Sequence, residues 1–318
     1  MSGTSGPTGA PSLHLGLDLG VTNLKWAVVE RAGASWSVVA NGQVPTRSSE
    51  GPEVVVPQLA ELAEVIIGAH PGIESVGIGV PGLYDPVTGI IEFLVNMPGH
   101  WRGVPLMVPV EAALGLPTAI INDARAFGLA ELRLGAGRGV RSMIGLTLGT
   151  GIGGVIAVDG HVVQGHNGTA GELGHQTIQP DGPLCNCGNR GCVEAFCRAE
   201  QVAALCGTET VEAAVLAARS GDARALAGLT EVGRYLGIGI ANAIVVLTPE
   251  RVILGGGVAG AGELLLGPIR DEIRRRVHVT AWQHVDVMLA ELGTIAGAIG
   301  AAVHGAEQAS IVMREAAL

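Results

Sequence analysis

The stretch LHLGLDLGVTNLKWAVVE, residues 13–30, decides the fold. An apolar run leads to Asp18, a glycine-containing turn follows through Gly20, Thr22 and Asn23, and a second apolar run leaves it. The pattern predicts strand, tight turn, strand. LTLGTGIGGVIAV at 146–158 has the same order: strand, Leu-Gly, a short turn with a threonine, strand. One such hairpin in each half of the chain predicts two similar domains.

The segments between them fit that reading. After the polar stretch NGQVPTRSSEGPE, the run PQLAELAEVIIGA has a helical apolar face. SVGIGVPG reads as a buried strand ending in a turn, and TAIIND as another, leading directly into the helical ARAFGLAELRLG. Strands alternating with helices predict an α/β protein with a mostly parallel sheet. ARAFGLAELRLGAGRGVRS is the expected crossover, which divides the chain into a tail at 1–12, a first domain at 13–132 and a second at 133–318. The tail, MSGTSGPTGAPS, has the composition of a disordered segment. The last helical run, GTIAGAIGAAVHGAEQAS, has no partner that local sequence decides.

Composition narrows the function. A chain of 318 residues suits two cores better than one. Its formal charge of −10 opposes nonspecific binding to nucleic acid or anionic lipid. At 3% aromatics it offers little for stacking bases. YLGIGIANAIVVLTP, 235–249, is too short for a membrane span, carries Asn242 and ends in proline, so it reads as a buried core helix. No signal peptide is evident. Five cysteines confined to 185–206 are an odd set and argue against a secreted disulfide framework. The expectation is a cytoplasmic protein without nucleic-acid or membrane partners.

The glycine-rich turns suggest phosphate binding. Gly149, Gly151, Gly153 and Gly154 would expose backbone N–H groups around Thr150, and consecutive free N–H groups form a concave anion site. Asp18, at the end of the first strand, could hold Mg²⁺ directly or through water. Tight turns alone explain such glycines equally well. Neither turn has the glycine–lysine–serine or –threonine of a Walker loop, nor does either match a GxGxxG that opens a long helix, as in a nicotinamide enzyme. A third cluster, Gly255, Gly256 and Gly257, would let a base pack on bare backbone.

Asn122 and Asp123 end the strand TAII, where parallel α/β sheets usually bind ligands. A carboxylate there can accept the proton of an attacking sugar hydroxyl. Capping the following helix is the competing reading for both residues.

His175, Cys185, Cys187 and Cys192 make a Cys₃His set suited to tetrahedral zinc. Four protein ligands leave no position for an activated water, so the metal is expected to be structural. A rigid metal loop would fix the direction of the flanking carboxylates Glu172 and Glu194. Cys197 and Cys206 read as core thiols.

Taken together, GTAGELGH followed by CNCGNRGCVE, with VPGLYDP, INDARAFGLAE, GTGIGG and LGGGVA in order, resembles the ROK family of sugar kinases and sugar-responsive repressors. The resemblance spans about residues 13–305. It implies two actin-like, ribonuclease-H-like domains around a central cleft, with the zinc loop in the second domain. It implies Asp123 as catalytic base. Gly82, Asn122, Glu172, His175 and Glu194 would contact the sugar, with His175 using its other ring nitrogen for zinc. ATP would lie on the two hairpins and the Gly255–Gly257 turn. Val21 and Asn23 depart from the family's usual DxGGT followed by lysine, which leaves the phosphoryl donor less well defined.

An ATP-dependent hexose kinase follows, with glucose as the expected sugar and hexose 6-phosphate as product. N-acetylmannosamine, another amino sugar or fructose is the alternative. Family repressors carry an N-terminal winged helix-turn-helix, whereas only a short tail precedes the first strand here. Many members are dimers, so a homodimer or higher homo-oligomer is expected.

Overall fold

In the computed structural model, which describes residues 10–316, the opening hairpin forms with a register that explains its sequence. β1 (Ser12–Leu19) pairs antiparallel with β2 (Asn23–Ala32), placing Asp18 opposite Lys25 and Leu19 opposite Leu24. Alternation sends Leu15, Leu17, Leu19 and Leu24 to one face, where each is buried, and Gly16 and Asp18 to the other. β1 thus begins inside the stretch assigned to the tail, and residues 1–9 lie outside the described residues.

β3 (Ser35–Pro45) extends this hairpin into a meander. Its second half falls in the polar stretch that carried no strand signal. As an edge strand it has alternating exposed and half-exposed residues and contributes few apolar side chains. α1 (Pro52–Ala69) buries Val55, Leu59 and Ala63. β4 (Ile73–Val80) lies parallel to β1, and β7 (Thr118–Asn122) lies parallel to β4. Between them come a small hairpin, β5 (Gly82–Tyr84) and β6 (Ile91–Leu94), and α2 (Met107–Leu114). α3 (Asp123–Arg133) follows β7 without a linker. The sheet order is β3-β2-β1-β4-β7.

The second sheet repeats this plan. β8 (Met143–Leu148), β9 (Ile152–Val158) and β10 (His161–Val162) form an antiparallel meander. β11 (Arg251–Gly255) and β12 (Asp286–Leu289) add in parallel, giving β10-β9-β8-β11-β12. The internal echo in the sequence is therefore an echo of topology.

Four helices lie between the two parts of this sheet: α4 (Val193–Cys197), α5 (Ala199–Cys206), α6 (Val211–Arg219) and α7 (Ala223–Leu247). α7 contains the apolar run expected to be a core helix. It is long and apolar enough to cross a membrane, but Leu229, Val232, Leu236 and Ile244 on it are fully buried. α8 (Glu263–Arg276) packs on α7 at Gly233 and Gly237, where a Cβ would come within 2.7 Å and 2.6 Å of Pro268 and Glu272. Cys197 and Cys206 sit in this core as expected.

The last helix, α9 (Ala296–Ala316), packs on β1, β4 and α3. A Cβ on Gly16 or Gly77 would lie 1.8 Å from the carbonyl oxygen of Ala298 or Ala301, and one on Gly300 would lie 1.7 Å from that of Ala126. Contacts divide the described chain into two units. The first runs to Leu134 and regains Gly165–Thr169 and the segment from Thr294; the second holds Gly135–Gln164 and Ala170–Gly293.

Candidate active site

In the first unit, Asp18, Gly20, Thr22 and Asn23 surround the β1–β2 turn. The turn is closed by hydrogen bonds from the Gly20 N–H to the Asn23 carbonyl, from the Thr46 hydroxyl to the Gly20 carbonyl and from the Thr46 N–H to the Thr22 carbonyl. Asp18 lies against the first turn of α9: a Cβ on Gly297 would approach its Oδ2 to 2.6 Å. Burial pushes the Asp18 carboxyl up, and the nearby positive charge of Lys25 opposes that shift.

Asn122 and Asp123 sit where β7 becomes α3. Asn122 is the N-cap, and its Oδ1 accepts from the Ala124 and Arg125 N–H groups at 3.0 and 3.3 Å. Its Nδ2 donates to the Gly82 carbonyl at 3.3 Å and to Asp123 Oδ1 at 3.0 Å. Asp123 Oδ1 also accepts from the Ala124 N–H at 2.8 Å. Capping and carboxylate positioning are thus performed together. Gly82 is held beneath the neighbouring strand, since a Cβ there would lie 2.1 Å from the Phe93 carbonyl oxygen.

In the second unit, the turn from Gly149 to Gly151 joins β8 to β9 and carries the exposed Thr150. The space beside Gly149 is open, with nothing within 4 Å of where its Cβ would be. Its carbonyl accepts from the Ala199 N–H at 2.8 Å, tying the turn to the start of α5. Gly153 follows within β9. Gly255 ends β11, and Gly256, at φ 88°, packs so closely on β8 that a Cβ would lie 2.3 Å from the Leu148 carbonyl oxygen. Gly257 again faces open space. The two glycine clusters of this unit therefore meet at the ends of adjacent strands, β8 and β11.

The four zinc-ligand candidates converge. Their ligand atoms all lie within 4.8 Å of one another. Cys185 Sγ is 3.7 Å from His175 Nδ1, and Cys187 Sγ is 3.8 Å from Cys192 Sγ. Zinc–sulfur bonds of about 2.3 Å place sulfurs about 3.8 Å apart along a tetrahedral edge. The cysteines are free thiols, and these separations far exceed a disulfide bond. The donor set and the spacing both fit zinc. Asn189 supports the loop by donating to Thr177 Oγ1 and Cys192 Sγ. Gly191, at φ 70°, allows the loop to turn against Gln179.

The flanking carboxylates are placed by the same loop. A 3₁₀ turn, Leu173–His175, starts at the exposed Glu172 and rides on β9. A Cβ on Gly154 would lie 2.1 Å from the Gly171 carbonyl oxygen, and one on Gly174 would lie 2.3 Å from that of Ile152. Glu194, in α4, is 8% exposed. Its Oε2 accepts from the Ile152 N–H at 2.8 Å, and its Oε1 accepts from the Cys185 thiol at 3.5 Å. Glu194 therefore joins a metal-ligand candidate to the β8–β9 hairpin. Local sequence missed this link because it spans 42 residues; at Gly151 a Cβ would come within 2.8 Å of Glu194 Oε2.

The ROK family profile matches residues 14–307. A glucokinase from Halalkalibacterium halodurans is 33% identical over 311 residues, which cover 90% of this chain and 93% of that protein. The ROK hexokinase structure from Thermus thermophilus matches with a TM-score of 0.81 at 34% identity, covering 95% of this chain and 99% of that one. A ROK family glucokinase from Streptomyces griseus, solved in complex with glucose and AMPPNP, matches at 0.77 and 33%, covering 93% and 100%. Two sheets of matching strand order, a converged Cys₃His cluster and a profile match over nearly the whole length lead to one conclusion: this chain belongs to the ROK family and has its actin-like, ribonuclease-H-like fold.

Proposed function

We propose that this protein is an ATP-dependent glucokinase, converting glucose and ATP to glucose 6-phosphate and ADP. The observation that carries this reading is the Asn122–Asp123 pair, in which one amide both caps α3 and orients the carboxylate. The similarity to a glucokinase solved with glucose and an ATP analogue supports it.

In this reading the sugar's 6-hydroxyl oxygen attacks the terminal phosphorus of ATP. A new O–P bond forms, the bridging P–O bond to ADP breaks, and the hydroxyl proton passes to Asp123. Gly82, Asn122, Glu172, His175 and Glu194 hold the sugar hydroxyls. Gly20, Thr22 and Asn23 hold the nucleotide, as do Gly149, Thr150, Gly151, Gly153, Gly255, Gly256 and Gly257. Asp18 would hold Mg²⁺, which supplies charge neutralisation on the phosphates when bound. His175, Cys185, Cys187 and Cys192 would hold zinc, which fixes the loop. A cytoplasmic homo-oligomer belongs to the same reading.

Detection of the product with glucose-6-phosphate dehydrogenase tests it. The proposal expects NADPH formation that requires protein, glucose and ATP together. ADP release without glucose 6-phosphate would refute the assigned product.

A further inference from the structure

β7 is the outermost strand of its sheet, with β4 on one side and no strand of that sheet on the other. The two run parallel, with Val76 opposite Thr118 and Ile78 opposite Ile120, and the Val76 N–H donates to the Pro117 carbonyl. Successive peptide groups of a strand point to opposite sides. The Pro117 carbonyl faces β4, so the Ile120 carbonyl, three residues on, faces the open edge. Ile120 is buried, and a buried edge carbonyl has to find a partner outside the ladder.

Tyr84 is such a partner: its hydroxyl donates to the Ile120 carbonyl at 2.9 Å. Two residues away on each strand a bond runs the other way, from Asn122 Nδ2 to the Gly82 carbonyl at 3.3 Å. Gly82 and Tyr84 share one face of β5, while Leu83 between them is exposed. Residues 82 and 84 are thus braced reciprocally to residues 120 and 122, side chain to main chain in each direction. Asn122 Nδ2 is divided between Gly82 and Asp123. The shorter Tyr84 bond is therefore the one that fixes how β5 stands against β7.

We propose that Tyr84 is a positioning residue of the sugar site, its hydroxyl pinning the β5–β6 hairpin to the edge of β7 and so setting where Gly82 stands relative to Asn122 and Asp123. The proposal rests on the kinase reading above, which gives those three residues to the sugar. Burial pushes the Tyr84 phenol up to about 12, against the nearby positive charge of Arg125, so the donor keeps its proton throughout the neutral range.

The Ile120 backbone has a second hydrogen-bond partner in the buried His304 of α9. Removing the Tyr84 hydroxyl therefore does not strand a buried acceptor, and Tyr84→Phe should fold with a melting temperature close to wild type.

In a coupled assay of ADP release, Tyr84→Phe should raise KM for glucose about tenfold, the effect of a misplaced binding group. KM for ATP should change less than about twofold, because the hairpin holds none of the residues assigned to the nucleotide. Hydrogen exchange read by mass spectrometry should quicken in peptides spanning residues 82–95 and stay unchanged in β1 and β2. An unchanged KM for glucose would overturn the proposal. Equal rises in both KM values, or a variant that melts much earlier or does not fold, would mark a bond of general stability and overturn it as well. If the wild type phosphorylated no hexose, the kinase reading would fail instead. Exchange would then decide the pinning alone: quickened exchange at 82–95 in Tyr84→Phe upholds it, and unchanged exchange overturns it.

Discussion

Asp123 carries the heaviest chemical assignment, and its surroundings say how a substitution should behave. Oδ1 is fixed by the Asn122 amide and the Ala124 N–H, so Asp123→Asn can keep the capping geometry while losing the proton acceptor. We expect kcat to fall roughly 10²- to 10⁴-fold, the usual worth of a general base, with glucose affinity by calorimetry little changed. Near-normal turnover would place the base elsewhere. A second residue, His14, makes a separate prediction. It is buried between Ser12 Oγ and Ser75 Oγ, each 2.9 Å from a ring nitrogen. Burial, with Arg31 nearby, lowers its pKa from 6.5 to about 4. Between those values the unfolded chain binds the proton and the folded one does not. The contribution of His14 is therefore complete above 6.5 and is lost as pH falls towards about 4. His14→Gln should flatten the fall in melting temperature over that window; an unchanged slope would contradict the assignment.

Elements show where local sequence sufficed and where it failed. The Cys₃His cluster was legible because donor chemistry and short spacing are local, and its four candidate ligand atoms do converge. The β1–β2 and β8–β9 hairpins were legible because glycine turns between apolar runs are local too. β3 was not, because an edge strand facing solvent carries polar residues that look like a loop. The seat of α9 was not either, because Gly16, Gly77 and Gly300 record its close approach only once the partners are known. That approach is testable. Gly77→Ala would drive a methyl into the Ala301 carbonyl, and we expect a loss of roughly 1–3 kcal/mol, the usual cost of overpacking. A melting temperature equal to wild type would contradict the packing. For the zinc loop, Cys187→Ser should abolish stoichiometric zinc by elemental analysis, lower the melting temperature and raise KM for glucose together, since metal-binding energy is folding energy for such a loop. Full activity and stability in demonstrably metal-free protein would refute the structural role.

At the scale of the whole molecule, one strand order appears twice, each time as a meander followed by two parallel strands. The repeated Leu-Gly hairpin was the sequence sign of this, although the two sheets share little other residue pattern. The candidate residues divide between the two units, each of which positions its own set. The first holds Asp18, Gly82, Asn122 and Asp123; the second holds Gly149–Gly151, Glu172, His175 and Glu194. Local sequence could name these residues but not their supports, because Glu194 reaches Ile152 and Asn122 reaches Gly82 across long stretches of chain. Sugar choice is the least legible property, since the resemblance implies the same proposed sugar-contacting residues for several hexose specificities. The most direct measurement is ADP release by the purified protein with ATP and Mg²⁺ across glucose, mannose, fructose and N-acetylmannosamine. The account predicts the highest kcat/KM for glucose. A much higher value for N-acetylmannosamine, or no ADP release with any sugar, would contradict it.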